Sequence, residues 1–535
     1  MNKNNIGKVL PILTAGLLTL GSASCTRDFQ DINTNQLQPT DEILNRDNIR
    51  NSVYLPDLQF NVVFTALEGT NAVNDYQILN NLTADSWVGY MAPTNDKWDG
   101  KNLGQFYFDV GWNNMGFNCI IPRVLNPWMQ TRDITMSGET KSEEIFSIAQ
   151  ICKIMAMQKA TDMFGAIPYS EAGNGSFTVA YDSQESVYKS FLKELTEAVD
   201  VLYRASGRKL VVKDYVYNGD AAKWARLGNS LMLRVAMRTR FVDPELAKKY
   251  VEQACAHPAG VISSVDDQAQ IDQNSGVQTI NSLHVIAETY DDTRMGASIY
   301  CYLTGYRDPR LDKYFKPSSY GDYVAVPPAL PNTGDSYKVA SKPLTKQFGP
   351  TVWMRASEVA FLRAEGALAG FAVGGSAREL YEEGVKLSFA EQGVEGADSY
   401  LRSTAQPAVF SDHIRSEYSA GAPSEISPRW DSAASEEVNL ERIITQKYLA
   451  LFPNGQEAWT EWRRTGYPRL LPANTNISNF DVITSDGHKD GVRCWPYPLD
   501  ELNQNKANVQ EAINKYKGGS NGANINVWWD TKDKR

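Results

Sequence analysis

The stretch TKSEEIFSIAQICKIMAMQKATDMF, residues 140–164, indicates the class of fold more clearly than any other part of the chain. Its apolar residues recur every three or four positions, at 145, 148, 149, 152, 155, 156, 160 and 163, which places them on one face of an α-helix. Thr140 and Glu143 have the spacing of a capping box, with which helices often begin. We therefore predict a long amphipathic helix from about residue 141.

Similar patterns follow along the chain. Asp182 is the predicted cap of a second helix, a third starts at about Asp220, and Asp243-Pro244 opens a fourth with a cap residue followed by proline. Later helices are predicted over about 355–371, 376–391 and 438–452. Paired helices joined by short loops are typical of tetratricopeptide-like repeats, although their spacing does not keep a strict period of about 34 residues. The sequence thus predicts an all-α fold with tetratricopeptide-like helix pairs over about 141–256 and 353–452, and a long loop-rich remainder.

Composition and charge restrict the class of partner. The 535-residue chain is 42% hydrophobic and 22% charged, as in ordinary folded proteins, and its formal net charge is −10. No run of five basic residues occurs in the sequence. Binding to nucleic acid depends on basic residues that neutralise phosphates, so we predict no nucleic-acid partner.

The beginning of the chain has the pattern of a lipoprotein signal. Lys3 and Lys8 precede an apolar stretch, Val9–Leu20, that is too short to span a bilayer. Small residues then lead to Cys25, the predicted lipidation site; ordinary secretion with an unmodified Cys25 is the alternative. The predicted domains are a signal peptide at 1–24, a lipidated flexible tether at 25–45, and a single domain at 46–535.

Motifs for catalysis, cofactors and metals are missing from the sequence. The four histidines are far apart and do not form a zinc-binding motif, and neither common glycine-rich nucleotide loop occurs, so we predict no metal and no cofactor. The segment Gly518–Gly522 has the letters of a nucleophile elbow but no histidine follows it. A glycosidase needs only two carboxylates, so a hydrolase remains an alternative.

Aromatic residues in polar loops indicate a different chemistry. The chain contains 12 Trp, 26 Tyr and 19 Phe, and Trp87 and Trp98 have Asp or Asn neighbours, among them Asp85, Asp96 and Asp99. A flat ring can cover the apolar face of a sugar while neighbouring polar groups bind its hydroxyls. These residues are therefore candidates for a glycan site. The alternative for each ring is that it fastens a loop to the core.

Several ordered motifs carry a resemblance to a known family. They are FQDINTN (29–35), QKATDMFGAIPYSE (158–171), WARLGNSLMLRVAMR (224–238), DPRLDKYF (308–315), RASEVAFLRAE (355–365), QKYLALFPNGQEAW (446–459) and RCWPYP (493–498). In this order, behind a lipidation signal, the set resembles the SusD/RagB outer-membrane lipoproteins. The resemblance implies an all-α fold with four tetratricopeptide-like helix pairs.

The resemblance also implies a function. Such proteins are non-catalytic and capture nutrient, usually glycan and sometimes peptide, over a SusC-type TonB-dependent transporter, so we expect a lipid-anchored protein of the outer membrane that faces the cell exterior. The predicted ligand-binding residues are Trp98, Asp96, Asp99, Trp87, Tyr290 and Arg294; Trp98 lies in the nearest match to a family segment, and Tyr290–Arg294 lies in the region of a second side of the site. A peptide-capturing member and a surface glycoside hydrolase are the alternatives.

Two pairs of like-charged residues could either bind a ligand or stabilise the fold. Glu358 and Glu365 lie on one face of a predicted helix, and we predict salt bridges on the helix surface or between repeats rather than an acid pair. Arg463 and Arg464 follow an aromatic residue and are predicted to pack around it, with binding of an anionic sugar as the alternative.

Overall fold

The structure is a computed structural model that describes residues 49–94, 101–137, 141–173, 176, 178–331, 335–482 and 491–534. Residues Asn51–Arg535 form one compact unit. The predicted signal peptide, the predicted tether and Cys25 lie outside the described residues, so the domain boundaries at 24 and 45 stay predictions. None of the helices in the described part of the chain is long and apolar enough to cross a membrane.

Helices dominate the described residues, and the strands are short. The α-helices are α1 (Ile49–Ser52), α2 (Leu55–Val62), α3 (Ala72–Tyr76), α4 (Ala84–Trp87), α5 (Val110–Asn118), α6 (Ile121–Met136), α7 (Glu143–Phe164), α8 (Gln184–Arg204), α9 (Ala221–Arg238), α10 (Pro244–Ala256), α11 (Ser282–His284), α12 (Ala297–Gly305), α13 (Leu311–Tyr314), α14 (Ala356–Leu368), α15 (Ala377–Glu391), α16 (Ala397–Tyr400), α17 (Glu436–Leu451), α18 (Gly455–Thr465), α19 (Leu499–Gln504) and α20 (Lys506–Tyr516). The strands are β1 (Met91–Pro93), β2 (Ala269–Ile271), β3 (Thr293–Met295) and β4 (Thr351–Met354).

Four helix pairs of the described chain form the scaffold: α7 with α8, α9 with α10, α14 with α15, and α17 with α18. Helix α8 also packs on α9, α9 contacts α14, and α14 packs on α17, so the pairs form one continuous layer. The predicted all-α class and the predicted helix pairs are confirmed.

Close approach between the first helices requires a glycine. A Cβ atom added to Gly228 of α9 would lie 2.7 Å from Cγ2 of Val199 on α8 and 3.0 Å from Cδ1 of Ile151 on α7. Val199 is β-branched and buried, so it has little freedom to move away. Any larger residue at 228 would push these three helices apart.

The caps of the helices differ in part from the prediction. Asp243 caps α10 as predicted, and Asp220, the predicted start of the third helix, caps α9; each accepts a backbone N–H of the first turn. Helix α7 is capped by Ser142, and Thr140, the predicted cap, lies outside the described residues. Helix α8 is capped by Ser183 rather than by Asp182. Asp182 does not cap α8 because its carboxylate accepts hydrogen bonds from the N–H groups of residues 169 and 170. Adjacent polar residues compete for the cap, and only tertiary contacts decide between them.

Several helices lie where long loops were predicted. Helix α5 lies in the predicted loop-rich remainder and is capped by Asp109, whose carboxylate accepts the N–H of Gly111 at 2.8 Å. Helix α18 of the fourth pair and helices α19 and α20 also lie there, beyond residue 452, where the predicted helix pairs end. Helix α6 also has no counterpart in the prediction; it contains Pro127, a residue that usually ends a helix.

Two small antiparallel sheets fix the long connections. Strand β1 pairs with β3, with Met91 opposite Met295, and β2 pairs with β4, with Ala269 opposite Met354. A small hydrophobic cluster, separate from the main core, lies beside the first sheet and consists of Ala92, Val324, Val326, Leu330, Tyr337 and Ala340. This cluster gives the surrounding loops a rigid base.

Candidate ligand-binding site

The β1–β3 pair brings distant loops together on one surface. We call this surface the loop face and define it as Thr94, residues 288–294, residues 316–322 and residues 338–342. The Thr94 N–H donates to the carbonyl of Asp292 at 2.9 Å, and the Ser319 N–H donates to the carbonyl of Val339 at 3.2 Å. Backbone hydrogen bonds therefore hold the segments of the loop face in fixed positions.

Tyr290 lies on the loop face and is 39% exposed. The next residue, Asp291, has a positive φ of 58° and forms ion pairs with Arg294 at 2.7 Å and with Lys342 at 2.8 Å. Burial would raise the pKa of Asp291, but hydrogen bonds from Lys342 and Arg294 outweigh this and lower its pKa. The charged Asp291 thus holds the backbone beside Tyr290 and leaves the tyrosine ring at the surface.

Arg294 is buried beneath this loop, with 1% of its side chain exposed. Its guanidinium donates to the carbonyl of Lys338 from Nε at 3.1 Å and from Nη2 at 2.9 Å, and to the carbonyl of Thr293 at 2.9 Å. These bonds join the segment of Tyr290 to the segment 338–342. In this structure Arg294 positions the loops, and its donors are directed at protein atoms.

Trp87 lies at the end of α4 and is partly buried in a cluster of aromatic rings. Its ring centroid lies 5.1 Å from that of Trp459, 6.1 Å from Trp495 and 6.3 Å from Phe108. Its indole N–H donates to the carbonyl of Leu103 at 2.8 Å. Trp87 therefore packs on the core and anchors the backbone at Leu103.

Trp98, Asp96 and Asp99 lie outside the described residues, and their assignment stays a prediction. The described residues on either side are anchored. Thr94 is bonded to the loop face, and the Gln105 side chain donates to the carbonyl of Leu330 and accepts from the Asn102 amide at 3.0 Å. Thr94 and Asn102 are therefore each held by hydrogen bonds to the rest of the protein.

Tyr320 is an exposed aromatic residue that the sequence prediction missed. It is 69% exposed, and its backbone N–H donates to Oγ of Ser318 at 3.1 Å. Gly321, with a φ of 88°, makes the turn that presents the ring. The surrounding sequence, Ser-Ser-Tyr-Gly-Asp, is an aromatic residue in polar company, so the rule that selected Trp98 would also have found Tyr320.

Together, the loop face presents two exposed aromatic rings in a setting of fixed polar groups. Its acids are engaged: Glu288 pairs with Lys316 at 2.7 Å, and, although burial would raise its pKa, Lys316 and Lys342 lower it. A general acid for glycoside cleavage needs a raised pKa, and neither Glu288 nor Asp291 has one. Among the described residues, no group of three or more His, Cys, Asp or Glu could hold a metal ion.

The two acids and the two arginines that could have bound a ligand stabilise the fold instead. Glu358 receives two hydrogen bonds from Arg234, at 2.6 and 2.9 Å, which confirms an ion pair between α14 and α9. Glu365 pairs with Arg464 and Arg240. The Arg463 guanidinium lies 3.3 Å from the centre of the Trp459 ring and donates to the carbonyl of Asp162. Both arginines are fully buried and structural, but the predicted packing partner was wrong: Arg463 packs on Trp459 and Arg464 lies 5.5 Å from the centre of the Phe241 ring, rather than on Trp462.

Comparison with known proteins identifies the family. The family described as SusD-like, Susd and RagB outer membrane lipoprotein, matches residues 31–530. The chain therefore belongs to the SusD/RagB family of outer-membrane lipoproteins, as the sequence motifs predicted. No protein with a curated functional description matches the chain.

Solved structures of homologues support the same conclusion. A chitin-binding SusD homolog from Flavobacterium johnsoniae is 33% identical, with a TM-score of 0.83, and the match covers 90% of this chain and 99% of that chain. A SusD homolog from Bacteroides uniformis is 35% identical, with a TM-score of 0.83 and the same coverage. One from Bacteroides vulgatus is 30% identical, with a TM-score of 0.84, and covers 92% of this chain and 100% of that chain.

Proposed function

We propose that this protein is a lipid-anchored, non-catalytic lipoprotein on the exterior of the outer membrane that binds glycan and delivers it to a SusC-type TonB-dependent transporter. The observation that carries the proposal is the presence of two exposed tyrosines, Tyr290 and Tyr320, on one rigidly held loop face. Family membership and the similarity to a chitin-binding SusD homolog support it.

The chemistry of the loop face fits a sugar ligand. Aromatic rings stack on the apolar faces of sugars, and the fixed polar groups around them can bind hydroxyls. We infer that Tyr290 and Tyr320 contact the glycan and that Trp98, with Asp96 and Asp99, adds to the same site. In this proposal Arg294 and Trp87 act as positioning residues, because their polar groups are already bonded to the backbone.

A binding screen tests the proposal and its alternatives together. The chain from residue 26 onward is applied to an array of glycans and peptides, and we expect binding to glycans. Binding to peptides alone would favour the peptide-capturing alternative. Release of reducing sugar from a bound glycan, abolished by substitution of one carboxylate, would favour a glycoside hydrolase.

A second experiment tests delivery. The full-length lipoprotein is isolated from membranes in mild detergent, and we expect a TonB-dependent transporter to co-purify with it. The lipidated protein recovered alone, under conditions that preserve other membrane complexes, would contradict the proposed partner while leaving glycan binding untouched.

A further inference from the structure

A cleft separate from the loop face opens between the helix scaffold and two long connections. Its cavity volume is about 490 Å³, within the range of small-molecule sites. Helices α7 and α9 and the start of α14 form one side, and the segments 268–283 and 344–355 form the other. We call it the scaffold cleft.

The acids that line the scaffold cleft are engaged with the protein. Glu358 pairs with Arg234 at 2.6 Å, and Glu457 pairs with Arg238 at 2.7 Å. Asp162 accepts hydrogen bonds from Tyr188 and from the indole of Trp529. The Glu391 carboxylate accepts the N–H and the hydroxyl of Ser357, at 2.9 and 2.6 Å.

Four cations that line the same cleft lack a carboxylate partner among the described residues. Within the described residues, Lys159, Lys313, Lys346 and Arg355 form no ion pair with a carboxylate. Lys313 and Lys346 are exposed at the rim, and Arg355 is partly exposed near Glu391 without contacting it. The scaffold cleft therefore presents positive charge in a protein whose net charge is −10.

Lys159 occupies an unusual position among the four cations. It is partly buried, its Nζ donates to the Asn80 amide oxygen at 2.9 Å, and it lies 4.5 Å from the centre of the Phe64 ring. Its acidic neighbours have other partners: Asp75 pairs with Arg123 at 2.6 Å, and Asp85 accepts the N–H of Gly455 at 3.0 Å. Burial disfavours the charged form of Lys159 and lowers its pKa to about 8. An anion bound beside the amine would stabilise that charged form.

We propose that the scaffold cleft is a second ligand site, independent of the glycan site on the loop face, and that it takes a small molecule with a carboxylate. Lys159 and Arg355 contact the carboxylate, and Lys313 and Lys346 attract it at the rim. A partly buried amine and a guanidinium bind carboxylates through charge-assisted hydrogen bonds. Two sources carry this chemistry: an acidic sugar and the end of a short peptide.

Calorimetric titration of the full chain, purified in detergent, tests this inference with two pairs of probes. One pair is a galacturonic acid disaccharide and its neutral galactose counterpart; the other is a short peptide with a free carboxyl end and the same peptide amidated. We expect the acidic member of at least one pair to bind at least about tenfold more tightly than its partner. The pair that responds identifies the source of the carboxylate.

Variants locate the binding. Lys159→Met and Arg355→Gln should each weaken binding of the acidic probe by about tenfold, whereas Lys248→Met on the outer surface of α10 should not change it. If Lys159→Met lowers the melting temperature, Lys346→Met at the exposed rim gives the same test, with a smaller loss of affinity. No binding of any probe at millimolar concentration, equal binding within both pairs, or unchanged affinity in the cleft variants would overturn the proposal.

Discussion

Arg464 of α18 and Glu365 of α14 form a bidentate ion pair in which neither side chain is exposed. Nη1 donates to Oε1 at 2.7 Å, and Nη2 donates to Oε2 at 2.6 Å. The same carboxylate is also paired with Arg240, in the turn between α9 and α10, at 3.2 Å. This pair thus connects three helix pairs of the scaffold at one buried point.

Replacing Glu365 with Gln should lower the free energy of unfolding by about 3 kcal/mol, because the fully buried Arg464 loses its bidentate carboxylate and keeps only Glu461 as a charged partner. The matched control is Glu436→Gln: Glu436 also pairs with Arg240, but its side chain is 60% exposed, so its loss should cost less than about 1 kcal/mol. Urea unfolding of the two variants measures the difference. Equal losses of unfolding free energy in both variants would contradict a larger contribution from the buried ion pair.

The effect of Glu365 should depend on pH. Burial alone would raise its pKa, but the guanidiniums of Arg464 and Arg240 outweigh this and lower it. Because the pKa in the folded protein is below the unfolded value, the contribution of Glu365 to stability is fully present above about pH 4.3 and is lost as the pH falls through the folded pKa. The difference in unfolding free energy between wild type and Glu365→Gln should therefore be large at pH 7 and smaller at pH 3. A difference that grows on acidification would contradict this assignment.

Substitution of Trp87 distinguishes a role in core packing from a direct contact with glycan. Because its ring packs against Trp459 and Trp495, Trp87→Ala should lower the free energy of unfolding by about 3–5 kcal/mol. Trp87→Phe, which keeps much of the packing, should cost less. Denaturant titration measures both values. A stable Trp87→Ala protein that has lost glycan binding would instead make Trp87 a direct ligand contact.

The sequence predicted the scaffold because its helices carry an uninterrupted apolar stripe. Helices α7 and α9 have such stripes, and the structure buries them as predicted. Helix α6 could not be predicted in the same way, because Pro127 lies inside it and its stability comes from packing on α2 and α7. A sequence pattern predicts a helix only where local helix preference and tertiary packing favour the same structure.

The sequence indicated aromatic candidates for the site but not which of their rings the fold covers. Tyr290, chosen through the family resemblance, is exposed, whereas Trp87, chosen for its polar neighbours, is partly buried. Whether a ring such as Trp87 is covered depends on Trp459 and Trp495, which are distant in sequence. The burial of Arg294 likewise depends on Lys338, whose carbonyl it binds.

Replacing Cys25 with Ala should release the protein from the membrane fraction and leave its fold unchanged. The reason is that the predicted acyl chains provide the attachment, with about 0.8 kcal/mol of burial per methylene. Fractionation followed by immunoblotting measures the release, and circular dichroism checks the fold. A Cys25→Ala variant that stays on membranes after a salt wash would show that the attachment has another cause.

Glycan affinity of the tyrosine variants tests the central claim most directly. With a glycan identified from the array, calorimetry compares wild type with Tyr320→Ala, Tyr290→Ala and Trp98→Ala, and with Tyr203→Ala as the control, because Tyr203 is also 39% exposed but lies on α8 in the scaffold. We predict that each loop variant binds about threefold to tenfold more weakly, or weaker still, while its melting temperature stays close to that of wild type and the control binds normally. Unchanged affinity in all three loop variants would contradict a glycan site on the loop face.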